Sequence, residues 1–410
     1  MLCIILIPFH ACNATTPAIA PGGCFVFVTR FVYFSGHRQF LQTATHGPPN
    51  VTTRDRLLQT FSGNRPDRLP NVEFGYWEET LRLWHAQGLP AHVTSDAEME
   101  EYLQLEGITI FREVPIRNGL FPLFEKKTLS ESDGRRIFID EDGTISETFV
   151  GHSTMPRYIR FGIQERADWE AYRVNRLDPL RPGRIGDVRK ALEAARAEGM
   201  PSFFHAGSLY GWLRNWMGVE EFSVTLMTDR KWVEEMMDHL TELTLWLISR
   251  GMRDGAPDLI WWWEDMCYNK GSLMSPRLFH ELMVPRYKRI TAAARERGVT
   301  IHVLDCDGKI DQLVPGWLEA GINCMFPLEA AHTDAYALRR QYGDALLLMG
   351  GVDKLALIAG KEAIDRELAR LVPLVQAGRF IPCVDHRVPA DVTLDNYLYY
   401  LEKKQDLLRA

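Results

Sequence analysis

No apolar run in this 410-residue chain reaches the roughly 18 residues needed to span a bilayer, so a membrane-spanning helix is not expected. There is no dense block of lysine and arginine, and the formal net charge is -7, which argues against nucleic acid or an anionic membrane as the main partner. Cysteine is sparse and unpatterned. Of seven, Cys3, Cys12 and Cys24 lie in the first 50 residues, and Cys267, Cys306, Cys324 and Cys383 sit in or beside apolar runs. That is the usage of a reducing compartment, not a disulfide framework, and a cytoplasmic location is the expectation. Internal repeats and low-complexity segments are missing as well. What is present is ordinary globular composition, 46% hydrophobic and 25% charged, enough for a large core in one big domain or two medium ones.

Residues 1–50 differ from the rest. MLCIILIPF followed by ACNATTPAIAP imitates a signal peptide, but no Lys or Arg precedes Arg30, so the basic leading region is lacking. The text changes at Val51, where VTTRDRLLQTFSGNRPDRLP supplies an N-capping Thr and an amphipathic helix. The expectation is that Val51 is a GTG start read as an internal valine, with 1–50 an upstream extension outside the fold. Detection of the long N-terminus by mass spectrometry of the natively expressed protein rules this out.

From residue 51 the chain alternates. Strand-like runs at 72–76, 109–113, 202–205, 259–263, 300–304, 322–326, 345–349 and 379–384 are separated mostly by helical patterns, including 77–87, 96–105, 185–198, 229–250, 276–297, 310–320, 335–342, 361–375 and 394–408. Eight strands with intervening helices predict an α/β fold of the (β/α)8 TIM-barrel kind over 51–410. Residues 115–180 interrupt the alternation. RIFIDEDGTISETFVG has two β-rich runs around Asp142-Gly143 and predicts a β-hairpin excursion after the second strand.

In such folds the loops after the strand C-termini build the active face. TIHVLDCDG, residues 300–308, is a buried strand opening into a loop with Asp305 and Asp307 at its tip. The other tips add Glu264 and Asp265 from WWWEDM, Glu329 from FPLE, Asp353 and Lys354 from GGVDK, and Asp385, His386 and Arg387 from CVDHR. Carboxylates crowded at one mouth raise each other's pKa unless a cation neutralises them, so the cluster predicts a metal, a Lys/Arg partner or a shared proton. Oxygen-rich ligands with one nitrogen suit zinc or a harder divalent ion. Each residue also has a structural alternative. Asp305 and Asp307 can cap the next helix, Glu264 and Asp265 the next loop, and Asp353 the GGVD turn. His302 can be a hydrogen-bonded core histidine, and Cys306 and Cys383 small apolar residues in place of thiolate ligands. Tyr76, Trp77, Tyr210, Trp212 and Trp261 to Trp263 can be packing, or the wall for a flat ligand where they reach the mouth.

GGVDKLALIAGKEAID, GRFIPCVDHRVPADVTLDNYLYYL and MSPRLFHELMVPRYKRI resemble the uroporphyrinogen decarboxylase superfamily, which also holds corrinoid methyltransferases. The resemblance runs from about residue 51 to the end and implies a (β/α)8 barrel and a dimer. Decarboxylases of this group grip propionates with an Arg-rich N-terminal motif, whereas here the region reads NVEFGYWEETLRLW. His386 matches the decarboxylase histidine, and Tyr210 its aromatic residue after the third strand. The thiol-activating methyltransferases bind zinc through His-x-Cys-Gly, a Glu and a later Cys. In register with that motif stand Asp305 and Asp307, then Glu329, then His386, a harder ligand set that weakens the case for a thiol acceptor.

The expectation is therefore a barrel enzyme whose site is formed by Asp305, Asp307, Glu329 and His386 around a divalent metal or a shared proton. Tyr76, Trp77, Glu264, Asp353, Lys354 and Arg387 are the substrate-binding candidates. The preferred reaction is methyl transfer between a small methylated substrate and a corrinoid on a separate protein, with His386 as ligand or general acid. The alternatives are a decarboxylase without cofactor, using Asp265 or Asp307 with His386 or Tyr210, and a non-catalytic small-ligand binding protein.

Overall fold

The computed structural model describes residues 51–107, 111–150 and 156–410, and two short strands, Tyr33–Phe34 and His37–Arg38, which pair antiparallel. The chain divides into two units, Met1–Asn50 and Val51–Ala410. The second unit opens with helix Thr53–Ser62, whose Thr52 and Asp55 form a reciprocal capping box.

Seven parallel strands follow, alternating with helices: β1 (Arg112–Glu113), β2 (Ser202–Gly207), β3 (Leu259–Trp263), β4 (Ile301–Asp305), β5 (Cys324–Phe326), β6 (Leu347–Val352) and β7 (Phe380–Val384). Each pairs with its neighbour in sequence, giving the order β7-β6-β5-β4-β3-β2-β1. A sheet that grows by one strand per helical crossover curls, because every crossover packs on the same side. Side chains divide by parity. Leu259, Trp261, Val303, Cys324, Phe326, Leu347, Met349, Ile381 and Cys383 form one small apolar cluster on the concave face. Their neighbours Ile260, Trp262, Leu304, Met325, Leu348, Phe380 and Val384 belong to the large core beneath the helices. Burial on both faces explains why these strands read as continuous apolar runs.

The segment 72–76, expected as a first strand, lies beside the end of β7 without forming a regular ladder. One parallel bridge joins Tyr76 to Val388, and Val388 N–H donates to Gly75 O at 2.9 Å. Part of the pairing is done by a side chain: Val384 N–H donates to Glu73 Oε2 at 3.1 Å. Glu73 is fully buried and bound to Lys404 Nζ at 2.6 Å and Tyr400 O–H at 2.7 Å, so segment 72–76 is tied to the last helix, Leu394–Leu407, by an ionic network. Of the run expected at 109–113, residues 109 and 110 lie outside the described residues.

Two further differences have local causes. The helix expected over 276–297 is two helices, Pro276–Leu282 and Val284–Glu296, because Pro285 lacks the N–H that would continue the first. Four strands, Lys127–Ser132, Arg135–Ile139, Ile145–Phe149 and Arg157–Arg160, build an antiparallel meander. Both outer strands are exposed throughout, so they carry none of the apolar alternation by which a strand is read. Asp142 anchors the meander, accepting from Trp216 Nε1 at 3.2 Å and, through its carbonyl, from Tyr172 O–H at 2.7 Å.

Candidate active site

β4 delivers Asp305 onto the concave face, since it shares parity with Val303 of the apolar cluster. Its carboxyl accepts from the Trp261 indole. Burial first, then the nearby Asp307 and Asp265 charges, push its pKa well above the usual carboxylate range. Asp305 is thus held toward its protonated form.

One residue pair along, Asp307 turns to the opposite loop. His386 Nε2 lies 3.4 Å from Asp307 Oδ2. Burial alone would lower the imidazole, but the Asp307 hydrogen bond and charge outweigh it and hold His386 above its ordinary value. The ring is framed by Trp77, stacked at 5.8 Å between centroids, and by the edge of Phe74 at 5.8 Å. Ring contacts continue from Phe74 to Phe326 at 4.6 Å, Phe326 to Trp261 at 5.2 Å and Trp261 to Phe203 at 6.3 Å. The acid cluster therefore sits on an unbroken aromatic wall.

Arg214 and Lys354, beside the acid cluster, are both engaged. Arg214, from helix Gly211–Met217, holds Asp265 through Oδ2 at 3.1 Å and its carbonyl at 2.7 Å, and lies over Trp263 at 5.4 Å. Asp265 is still raised, chiefly by burial, because the Arg214 contribution is countered by Asp307. Lys354 Nζ binds Glu329 Oε1 at 2.8 Å and stands 3.8 Å from Asp385. Burial opposes both charges of that pair, yet each favours the other, so Glu329 is lowered and Lys354 raised. Asp385, fully buried, is pushed up to about 6 by burial against the pull of Lys354. Glu329 also accepts from Gly308 N–H at 3.1 Å, which fixes the Asp307 loop.

Several candidates have structural roles instead. Glu264 is fully buried and accepts from Leu209 N–H, Tyr210 N–H, Ser208 O–H and Tyr287 O–H at 2.7 to 2.8 Å. It is a buried plug at the start of helix Gly211–Met217, its pKa pushed up by burial, and not a surface for substrate. Asp353 caps helix Lys354–Ala359 through Leu355 N–H at 2.8 Å. Tyr76 is buried, its hydroxyl 2.6 Å from that of Tyr397. Arg387 binds Asp96 at 2.8 Å and the Tyr76 carbonyl, and lies over Trp77 at 5.5 Å, so it braces the aromatic wall. Trp77 alone of this group faces outward, 42% exposed. Tyr210 is buried with its hydroxyl unpartnered and pushed up to about 12 by burial. Cys306 and Cys383 are buried thiols pushed well up by burial, and His302 is buried beside Trp262 Nε1 at 3.3 Å. Arg214, Phe74 and Phe326 are site residues that strand-tip reasoning missed. Arg214 sits inside a helix, 51 positions from the Asp265 it serves, with nothing local to mark it.

The proposed metal ligands do not form one set. Among the described residues no three His, Cys, Asp or Glu side chains are grouped to hold an ion. Asp307 is paired with His386, Glu329 with Lys354, and Asp305 with the Trp261 indole. The ammonium of Lys354 already supplies the positive charge that Glu329 requires. As arranged, these side chains fit a proton-sharing site and not a preformed divalent-metal cage.

Fold and site together define an α/β enzyme with acid–base groups at the C-terminal ends of a curled parallel sheet. The chain belongs to the uroporphyrinogen decarboxylase (URO-D) family, whose model matches residues 148–405. Among solved structures, a methyltransferase from Methanosarcina mazei superposes with a TM-score of 0.55 at 16% identity, covering 88% of this chain and 100% of that one. At that identity the likeness concerns the fold. A Xaa-Pro dipeptidase with bound methionine aligns at a TM-score of 0.29 and 11% identity over 67% of this chain and 81% of that one, too low to carry an argument. No curated protein matches. No described helix is long and apolar enough to cross a membrane.

Proposed function

We propose that this URO-D family enzyme transfers a methyl group from a small, non-anionic methylated compound, with the His386–Asp307 pair as proton donor to the heteroatom that loses the methyl. The observation that carries the reading is the charge balance. Among the described residues bordering the acid cluster, Arg214, Lys354 and Arg387 are each committed to a carboxylate, while His386, held above its ordinary pKa by Asp307, stands between the Trp77 and Phe74 rings. A polycarboxylate such as a porphyrinogen needs free guanidinium groups, so that substrate class is disfavoured.

The carbon–heteroatom bond breaks as an incoming nucleophile takes the methyl group. The departing electron pair stays on the heteroatom, which receives the proton that His386 Nε2 shares with Asp307, whose carboxylate offsets the imidazolium charge beforehand. The resemblance supports a reduced corrinoid on a separate protein as the nucleophile, which would supply the methyl acceptor. We further propose that segment 72–76 completes the ring of strands as an eighth, irregular member.

The test incubates the purified chain with free cob(I)alamin and a panel of methyl ethers, methylamines and methyl thioethers, and reads methylcobalamin by absorbance. His386→Gln is expected to lower the rate by about 100-fold, the scale of general acid catalysis. Release of CO2 from uroporphyrinogen without methyl transfer would sink the reading in favour of the decarboxylase, for which the unpartnered Tyr210 hydroxyl and Asp307 Oδ1 would be the supporting atoms. Metal analysis of the same preparation examines the ligand set independently.

A further inference from the structure

β2 carries a second histidine on the face of the site. Phe203 packs on Trp261 beside the concave cluster, whereas Phe204 and Ala206 lie in the core under the helices. By the two-residue repeat of a strand, His205 shares the face of Phe203, one step nearer the C-terminal end where Trp263 and Asp305 stand. The residue is only partly buried. The β2–β3 register shifts after His205, and Gly207, at φ +82°, turns its N–H back to His205 Nδ1 at 3.0 Å. Since that N–H donates, Nδ1 carries the lone pair and the ring proton is on Nε2. Among the described residues no group accepts from Nε2. Burial lowers the pKa to about 4, so the ring is neutral at physiological pH.

We propose that His205 is a specificity-determining residue that donates its Nε2–H to an uncharged acceptor atom of the substrate. A neutral, partly buried donor suits an ether, hydroxyl or carbonyl oxygen and gives a carboxylate no charge to pair with. His205 and His386 then hold one molecule from two sides: β2 lies five strands along the sheet from β7, after which His386 follows. One is a fixed neutral donor and the other a charged acid. The proposal rests on the proposed function for the identity of the ligand as substrate, but not for the contact itself.

The test uses the full chain with 15N-labelled histidine, and as probes methoxybenzene and its near-isostere ethylbenzene, which lacks the oxygen. The His205 ring is expected to read as the neutral Nε2–H tautomer from about pH 5 to about pH 9. Methoxybenzene should shift its signals and bind about five-fold tighter than ethylbenzene, the scale of one net hydrogen bond. His205→Phe should equalise the two probes, and His205→Gln, whose amide nitrogen reaches the Nε2 position, should restore the difference. A ring that titrates in that window, signals unmoved by either probe, or an unchanged ratio in His205→Phe overturns the assignment. No methyl transfer is measured, so this assignment and the proposed reaction fail separately.

Discussion

His386 Nε2 stands 3.4 Å from Asp307 Oδ2, joining the loop after the last strand to the loop after β4. The pair holds the imidazole above its ordinary pKa, so the acid is available near neutrality. Asp307→Asn removes the charge that offsets burial. His386 should then titrate below about 6.5, and the alkaline limb of the rate profile should move to lower pH. Histidine ring NMR across pH checks the first statement and initial rates the second; an unmoved limb would dissociate His386 from proton donation.

Asp305 predicts a gain in stability on mutation. Its folded pKa is raised, so the folded state binds this proton more tightly than the unfolded chain does. The contribution is complete below about pH 4, the unfolded value, and is lost as pH rises through the folded value. Asp305→Asn should therefore unfold at higher urea than the parent at pH 8, with the difference shrinking toward pH 4. Equal midpoints at both pH values would contradict the assignment.

The buried pair of Glu73 and Lys404 predicts a large loss. Both side chains are fully buried, and Lys404 Nζ also donates to Val72 O at 2.7 Å. Lys404→Met leaves Glu73 charged without its cation, at a cost of about 3–5 kcal/mol. Glu73→Gln combined with Lys404→Met should recover part of it. Urea denaturation of the two variants measures the difference, which should vanish if the pair is not coupled.

Glu264 predicts coupled effects on fold and rate. Removing its carboxylate in Glu264→Ala strands several buried donors at the start of helix Gly211–Met217, a loss on the order of 3 kcal/mol. The same helix carries Arg214, so Asp265 loses its partner and the rate should fall further than in Asp334→Ala, whose carboxylate caps helix Ala335–Tyr342. Comparable rates in the two variants would detach Glu264 from the site.

The strand tips were legible because a buried parallel strand is a local pattern. Short β-branched and aromatic runs ending in Asp, Glu or Gly are visible without knowing their neighbours, as in 259–263 and 300–304. Where pairing is done by side chains, as Glu73 does for segment 72–76, the run reads as a strand and folds as something less regular. Where strands are exposed on both faces, as in Lys127–Ser132, the pattern is absent altogether.

By itself the sequence determined the alternation of strands and helices, the loops that collect carboxylates, and the presence of His386 among them, since each follows from neighbours a few positions away. Tertiary structure alone decided which charge answers which. Lys354 reaches Glu329 across 25 positions and Arg214 reaches Asp265 across 51, and a carboxylate's pKa depends on those distances and on burial. The side of the sheet that His205 faces was likewise settled only when the sheet curled, because parity along a strand has no inside until a concave face exists to define it.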